Sequence, residues 1–170
     1  MAQLELKWRV ASLRSVGIAL AFGLWEGAWK TTHPTETAMK FIHNLRVYYE
    51  DTDMAGIVYY ANYLKFAERG RSDAVCDMGI DQNDMKANGL VFAVKSVQAE
   101  YHKPAIFGDE LVVETQTSKL GGASLEMSQW VRRGEDLIFS AVFRVACMDA
   151  GGRAARFPAE IRQKLQESMP

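Results

Sequence analysis

One amphipathic helical pattern followed by a long run of strand patterns limits what this chain can fold into more than any other feature. Apolar and small residues recur at steps of three or four and form one helical stripe: Tyr63, Phe66, Ala67, Gly70, Ala74 and Met78. Asn62 is placed to act as the N-cap, and Gly79 is placed to end the helix. Because glycine inside a helix costs about 1 kcal/mol relative to alanine, we expect Gly70 to mark a close approach of the helix to a sheet.

Five segments have the alternation or the β-branched and aromatic content of strands. One strand is predicted before the helix and four after it, at 41–49, 91–101, 111–120, 125–132 and 137–148. The four later strands are expected to follow one another in antiparallel succession. The polar stretch before residue 91 predicts no further helix, and a short C-terminal helix is expected to start at Pro158. One long helix wrapped by one curved antiparallel sheet is an α+β architecture.

The strand patterns also predict a bulge and a partner. The apolar phase of segment 91–101 changes near Lys95, which indicates a β-bulge. Segment 137–148 is apolar on both faces, with Arg144 as its only charged residue. A strand of this kind has to be covered twice. Since the single long helix can cover one face, we infer that a partner subunit covers the other.

Charge and cysteine usage exclude several classes of protein. The chain of 170 residues has 20 Lys and Arg against 21 Asp and Glu, a formal net charge of −1. It therefore lacks the basic surface of a nucleic-acid-binding protein, and we predict no nucleic-acid partner. Cys76 and Cys147 are far apart and form no C-x-x-C pair. We predict two buried free thiols in a reducing compartment, not a zinc site or a disulfide.

The first forty residues differ from the rest of the chain. Lys7, Arg9 and Arg14 precede an apolar run at 16–25, which is shorter than the roughly 20 residues that span a bilayer. Three interpretations stay open: a loosely ordered leader or a start assigned too far upstream, an interfacial helix giving weak membrane association through residues 1–30, and a cleaved export signal. We predict an N-terminal extension at 1–38 and one domain at 39–170.

The residues best suited to chemistry lie just before the helix. Five of the six tyrosines surround the acidic loop that contains Asp51 and Asp53: Tyr48, Tyr49, Tyr59, Tyr60 and Tyr63. A carboxylate beside the free N–H groups of a helix N-terminus can activate water or attack a carbonyl. The structural alternative is that the two aspartates cap the loop and the tyrosines fill the core. A calcium loop is disfavoured, because Ala55 and Asn62 occupy its fifth and twelfth positions, and we predict no metal.

Residues 47–73 (VYYEDTDMAGIVYYANYLKFAERGRSD) resemble the opening of the hotdog acyl-CoA thioesterases, and residues 97–109 (VQAEYHKPAIFGD) resemble a later part of that family. The most similar groups are the Tol-Pal-associated (YbgC-type) and the 4-hydroxybenzoyl-CoA thioesterases, and the resemblance covers roughly residues 41–165. It implies a hotdog fold, homodimers joined edge to edge that pair into homotetramers, and a cytoplasmic location. It also implies hydrolysis of a short-chain or aromatic acyl-CoA, with no cofactor beyond the coenzyme A of the substrate.

The same resemblance implies roles for individual residues. Asp53 is expected to be the catalytic carboxylate, as nucleophile or as general base. Gly56, Val58, Tyr60 and Asn62 are expected to bind substrate near the helix N-terminus, in a pocket at the subunit interface. Tyr60 stands where many Tol-Pal-type members carry a histidine, and we expect it to position the acyl group or water. The alternative function is a noncatalytic scaffold that binds an acyl-carrier protein or an envelope complex such as Tol-Pal.

Overall fold

The computed structural model describes residues 39–170, so the predicted extension at 1–38 lies outside the described residues. Within that range, strands and α-helices follow in the order β1 (Phe41–Arg46), α1 (Asn62–Asp77), α2 (Gln82–Ala87), β2 (Leu90–Tyr101), β3 (Glu110–Leu120), β4 (Ser124–Arg133), β5 (Asp136–Asp149) and α3 (Ala159–Glu167). A short 3₁₀ turn, Tyr49–Asp51, precedes α1. The predicted α+β class and hotdog arrangement are confirmed.

The five strands form one antiparallel sheet in the order β1-β3-β4-β5-β2. β3, β4 and β5 follow one another as predicted, but β2 crosses to the far edge and pairs with β5. The prediction that β2 would be followed in the sheet by β3 was wrong, because β1 occupies the other edge of β3. The β2 register shifts between Val94 and Ser96, which confirms the bulge expected near Lys95.

Helix α1 packs on the sheet through the stripe that the sequence predicted. Gly70 makes the closest approach, since a Cβ built on it would lie 2.7 Å from Val113 Cγ1. Glycine is required there because a side chain would overlap a buried valine. Gly79 follows the end of the helix, as expected. Asn62 is not the N-cap, because it is already helical and its side-chain amide donates to the Asp51 carbonyl at 2.9 Å.

The prediction of no helix between α1 and β2 was wrong. The Asp81 carboxylate caps α2 by accepting hydrogen bonds from the Asn83 N–H at 2.7 Å and the Asp84 N–H at 3.3 Å. Met85 is the single buried residue of this helix. A single apolar residue forms no periodic stripe, so the hydrophobic pattern of this segment does not predict a helix.

The core lies between α1 and the face of the sheet that carries the buried residues of β5: Phe139, Ala141, Phe143, Val145 and Cys147. On the opposite face, Arg144 is exposed and its neighbours are half-buried, so a partner that covers this face stays a prediction. Cys147 is a buried free thiol as expected, but Cys76 is exposed because it lies outside the buried stripe of α1.

Strand β2 forms an edge of the sheet, and its second side pairs with no strand among residues 39–170. Several of its apolar side chains are exposed, including Val94 at 49% and Tyr101 at 50%. An open edge with exposed apolar side chains is a template for pairing with another strand. No described helix is long and apolar enough to cross a bilayer.

Candidate active site

The loop that carries Asp53 is held to α1 through its neighbour Asp51. The Asp51 carbonyl accepts the Tyr59 N–H and the Asn62 side-chain amide, both at 2.9 Å. The Asp51 carboxylate accepts the Tyr48 N–H at 2.9 Å. Because these groups form hydrogen bonds within the loop and Asp51 is buried, Asp51 has the structural role of stabilising the loop.

Asp53 begins a tight turn on the surface. Its N–H donates to the Ile57 carbonyl at 2.9 Å, and its own carbonyl accepts the Gly56 N–H at 3.0 Å. Gly56 adopts a φ of 76°, a conformation that favours glycine. The Asp53 Oδ1 accepts the Ala55 N–H at 2.8 Å, whereas Oδ2 accepts no hydrogen bond from residues 39–170. The carboxylate is thus fixed in place and exposed to solvent.

The N-terminus of α1 lies directly after this turn and has no side-chain cap. The Asn62 N–H donates to the Tyr59 carbonyl at 2.8 Å and the Leu64 N–H to the Ala61 carbonyl at 3.1 Å. The N–H groups of Tyr60 and Ala61 donate to no acceptor within the described part of the chain. Unsatisfied donors at the positive end of a helix dipole suit a developing oxyanion.

Three tyrosines form an aromatic surface beside the turn. The Tyr59 and Tyr60 ring centroids are 4.7 Å apart, and Tyr101 of β2 lies 6.4 Å from Tyr60. The Tyr101 hydroxyl donates to the Tyr60 carbonyl at 3.2 Å. The pKa of the Tyr59 hydroxyl is raised, chiefly by its interaction with the Tyr60 hydroxyl and to a small degree by the negative charge of Asp53. The carboxylate and the aromatic surface therefore share one site.

A buried brace beneath the turn connects it to α1. The Tyr63 hydroxyl accepts the Ala105 N–H at 3.0 Å, and the Ala105 carbonyl accepts the Val58 N–H at 2.8 Å. The Tyr63 ring stacks on Phe139 with centroids 5.3 Å apart and planes 14° apart. Burial is the main cause of a raised pKa for the Tyr63 hydroxyl, so this group stays neutral at physiological pH.

The structure brings the predicted site residues together, but it gives them different surroundings. Asp53 and Gly56 lie on the exposed surface of the turn, and Tyr60, which follows the turn, is 60% exposed. Val58 and Asn62 are buried, with the Asn62 amide directed at the loop backbone. Sequence reasoning did not single out Tyr101 or Ala105 for the site, and the only signal was their position inside the second family-like segment, 97–109.

A cavity of about 180 Å³ lies farther along α1, between that helix and the sheet. Its walls are mostly aliphatic and include Val75, Val94, Leu125, Met127, Val145 and Leu165. Val94 and Tyr101 are seven residues apart on β2, which corresponds to about 20 Å along a strand. The Val94 side of the cavity is therefore well separated from Tyr101 and the aromatic surface beside the Asp53 turn.

The fold and the site together define a class: a hotdog thioesterase, with a D-x-D-x-x-G turn at the N-terminus of the helix that its sheet wraps. A probable thioesterase from Bartonella henselae has a similar crystal structure, with a TM-score of 0.64 and 33% identity, covering 71% of this chain and 99% of that one. The profile of the thioesterase-like superfamily matches residues 47–165. The chain belongs to the thioesterase-like superfamily, a family of thioester hydrolases.

Two relatives show where within that family the similarity lies. The acyl-CoA thioesterase YbgC of Haemophilus influenzae is 36% identical over 124 residues, which cover 72% of this chain and 91% of the relative. A 1,4-dihydroxy-2-naphthoyl-CoA hydrolase of Nostoc punctiforme is 29% identical over 130 residues, covering 75% and 88% of the two chains.

Proposed function

We propose that this protein hydrolyses acyl-CoA thioesters to a free acid and coenzyme A, with Asp53 as the catalytic carboxylate. One observation carries the proposal: an exposed carboxylate on a braced turn adjoins the uncapped N-terminus of α1, where the Tyr60 and Ala61 N–H groups have no acceptor among residues 39–170. The names of the relatives, which include acyl-CoA thioesterases, support the same activity.

Two chemical routes use this geometry. In the first, the Asp53 carboxylate attacks the thioester carbonyl, coenzyme A leaves as a thiolate that takes a proton from water, and a second water hydrolyses the mixed anhydride. In the second, Asp53 accepts a proton from water as the water attacks, and the C–S bond then breaks with proton transfer to the thiolate. Both routes place negative charge on the former carbonyl oxygen, which the N–H groups of Tyr60 and Ala61 are positioned to stabilise.

The position of the cavity supports a homodimer with its pocket at the subunit interface. In one subunit the Val94 wall of the cavity lies about 20 Å along β2 from Tyr101, so a short acyl group bound at Asp53 does not reach that wall. Antiparallel pairing of two β2 edges would bring the Tyr101 end of one strand near Val94 of the other, so each cavity would serve the partner's Asp53. We propose this arrangement, with dimers pairing into homotetramers as the family resemblance implies.

Substrate, location and cofactor follow from the same proposal. The small aliphatic cavity favours a short-chain acyl group, and the aromatic surface at Tyr60 leaves an aromatic acyl group as the other candidate. We place the reaction in the cytoplasm, where coenzyme A thioesters are found, and assign it no cofactor or metal. An acyl-carrier protein or the Tol-Pal complex remains a proposed partner from the family resemblance alone.

The alternative, a noncatalytic scaffold that binds acyl carriers or an envelope complex, is favoured by one observation. The Asp53 Oδ1 accepts the Ala55 N–H, as the aspartate of a purely structural Asx turn would. In this alternative the carboxylate shapes the turn and performs no chemistry.

The Asp53→Asn variant separates these functions. Asparagine keeps an Oδ1 that can accept the Ala55 N–H, so the turn survives while the negative charge is lost. Free-thiol release is measured from a panel of short-chain, long-chain and aromatic acyl-CoAs. We expect kcat to fall at least a hundredfold, roughly the contribution of a catalytic acid or base, with folding and assembly unchanged.

Asp77→Asn is the matched control, since Asp77 is an exposed carboxylate of α1 that makes no ion pair with residues 39–170. This variant should retain full activity. Near-full activity of Asp53→Asn would contradict the catalytic assignment. An absence of turnover by the wild type across the panel would favour the scaffold.

A further inference from the structure

The cavity beneath α1 has an aliphatic interior and one cation, Arg71, in its wall. The neighbouring polar residues are Glu68, Ser72 and Gln82. An aliphatic pocket with a charged group at one point is the usual design of a site that selects an apolar ligand by one polar feature. Two properties of Arg71 indicate which polar group of a ligand this cavity would select: its guanidinium is fixed in position, and most of its N–H donors have no acceptor among residues 39–170.

The Arg71 guanidinium is held in a fixed orientation. Its Nη1 donates to the Gln129 Oε1 at 2.9 Å, and its central carbon, Cζ, lies 3.9 Å from the centre of the Phe143 ring. Gln129 is itself buried and fixed, because its amide donates to the Ala67 carbonyl and to the Thr115 hydroxyl, both at 2.8 Å. The guanidinium is thus preorganised by the sheet, with little freedom left to lose on binding.

The charge of Arg71 lacks an ion-pair partner within residues 39–170. Burial lowers the pKa of its guanidinium, and the negative charge of nearby Glu68 partly offsets this effect. Glu68 is exposed and accepts the Ser72 hydroxyl at 2.8 Å, and it forms no ion pair with Arg71. Of the five N–H donors of an arginine, one has an acceptor in this part of the chain. A partly buried cation with free donors is stabilised most by a carboxylate, which matches the planar guanidinium fork.

We infer that Arg71 recognises the far end of the acyl group, and that the preferred substrates are coenzyme A thioesters of short dicarboxylic acids. This inference rests on the proposed thioesterase function. The cavity is large enough for such an acyl group, because its volume of about 180 Å³ is more than ten times the roughly 10–15 Å³ that one water molecule requires by the same measure. An acyl group of about six carbons fits in the cavity, and its terminal carboxylate can lie against Arg71.

Adipoyl-CoA and hexanoyl-CoA test the inference directly, since both acyl groups have six carbons and differ only in a terminal carboxylate or methyl group. With the uncatalysed rate subtracted, we expect wild-type kcat/KM to favour adipoyl-CoA by about tenfold to a hundredfold, the range that one charge-assisted hydrogen bond represents. Arg71→Met should remove this preference while changing kcat/KM for hexanoyl-CoA less than about threefold. Arg71→Lys, which keeps the charge without the fork, should retain part of the preference.

Arg69→Met is the matched control, because Arg69 is an exposed arginine two residues away on the same helix and does not line the cavity. It should leave the preference unchanged. The inference is overturned if the wild type favours hexanoyl-CoA or treats the two alike, or if Arg71→Met lowers both activities equally.

Binding keeps the inference separate from the proposed reaction. Calorimetric titration of both thioesters into the inactive Asp53→Asn chain should give a lower Kd for adipoyl-CoA, and Arg71→Met in that background should remove the difference. If the wild type cleaves neither thioester, the proposed function fails, and this titration still decides whether Arg71 selects a carboxylate. Equal Kd values would overturn the inference whatever the activity.

Discussion

Replacing Tyr63 with phenylalanine removes a single oxygen atom from the brace beneath the Asp53 turn. The ring and its stacking on Phe139 are kept, but the Ala105 N–H loses its acceptor. Because Ala105 is fully buried, water cannot replace the lost hydroxyl, and a buried unsatisfied donor costs about 1–3 kcal/mol. At about 3 °C per kcal/mol for a chain of this length, the midpoint of thermal unfolding should fall by about 6 °C.

Thermal unfolding at one fixed protomer concentration tests this prediction, since unfolding of an oligomer depends on concentration. The control is Tyr101→Phe, which also removes one tyrosine hydroxyl and one hydrogen bond, to the Tyr60 carbonyl at 3.2 Å. Tyr101 is half-exposed, so water can take over that bond and the loss should be under about 1 kcal/mol. Equal losses in the two variants, or an unchanged midpoint for Tyr63→Phe, would refute the argument from burial.

Three further predictions concern the core, acid stability and the chain start. Gly70→Ala should lower the urea midpoint by an amount equivalent to about 1 kcal/mol, since overlap with Val113 costs about 1–3 kcal/mol and better helix propensity returns about 1; a stabilised variant would refute this. Hydrogen bonding to Arg144 is the main cause of a lowered pKa for Glu126. The stabilisation is present above the unfolded-state pKa and is lost as pH falls through the folded-state value. Glu126→Gln should therefore destabilise at neutral pH, and this penalty should shrink as the pH falls through the folded-state pKa of Glu126; a penalty that grows in acid would contradict the assignment. A chain beginning at Met39 should fold and assemble like the full chain, and its aggregation would show that the first 38 residues are needed.

Local patterns predicted the elements that have strong periodicity. Helix α1 was predicted because its apolar stripe repeats along the whole helix. The close packing at Gly70 was predicted because glycine destabilises a helix unless close packing requires it. Helix α2 was missed because a cap and one buried methionine stabilise it without any period. The position of β2 was not predicted because strand order in a sheet depends on long-range pairing. β1 pairs with the outer edge of β3, so β2 pairs with the outer edge of β5 instead.

The candidate site divides in the same way. Asp53 and Gly56 belong to one turn and Tyr60 follows it closely, so a local sequence motif was enough to propose them as site residues. The partners that hold this turn come from distant parts of the chain, as the bond from Ala105 to the Tyr63 hydroxyl shows. Arg71 could not be singled out from the sequence either, because its orientation is fixed by Gln129 and Phe143, which contact it from strands β4 and β5.

The far-edge position of β2 affects how the chain is made. Leu90 pairs with Asp149 and Tyr101 with Phe139, so β2 leaves the ribosome well before the only strand that pairs with it in the described domain. Until β5 is synthesised, both sides of a long strand with several apolar residues are open, and unpaired strands of this kind associate readily with other chains. Nascent chains should therefore depend on chaperones during this interval, and slowing translation between β2 and β5 should lower the yield of native protein.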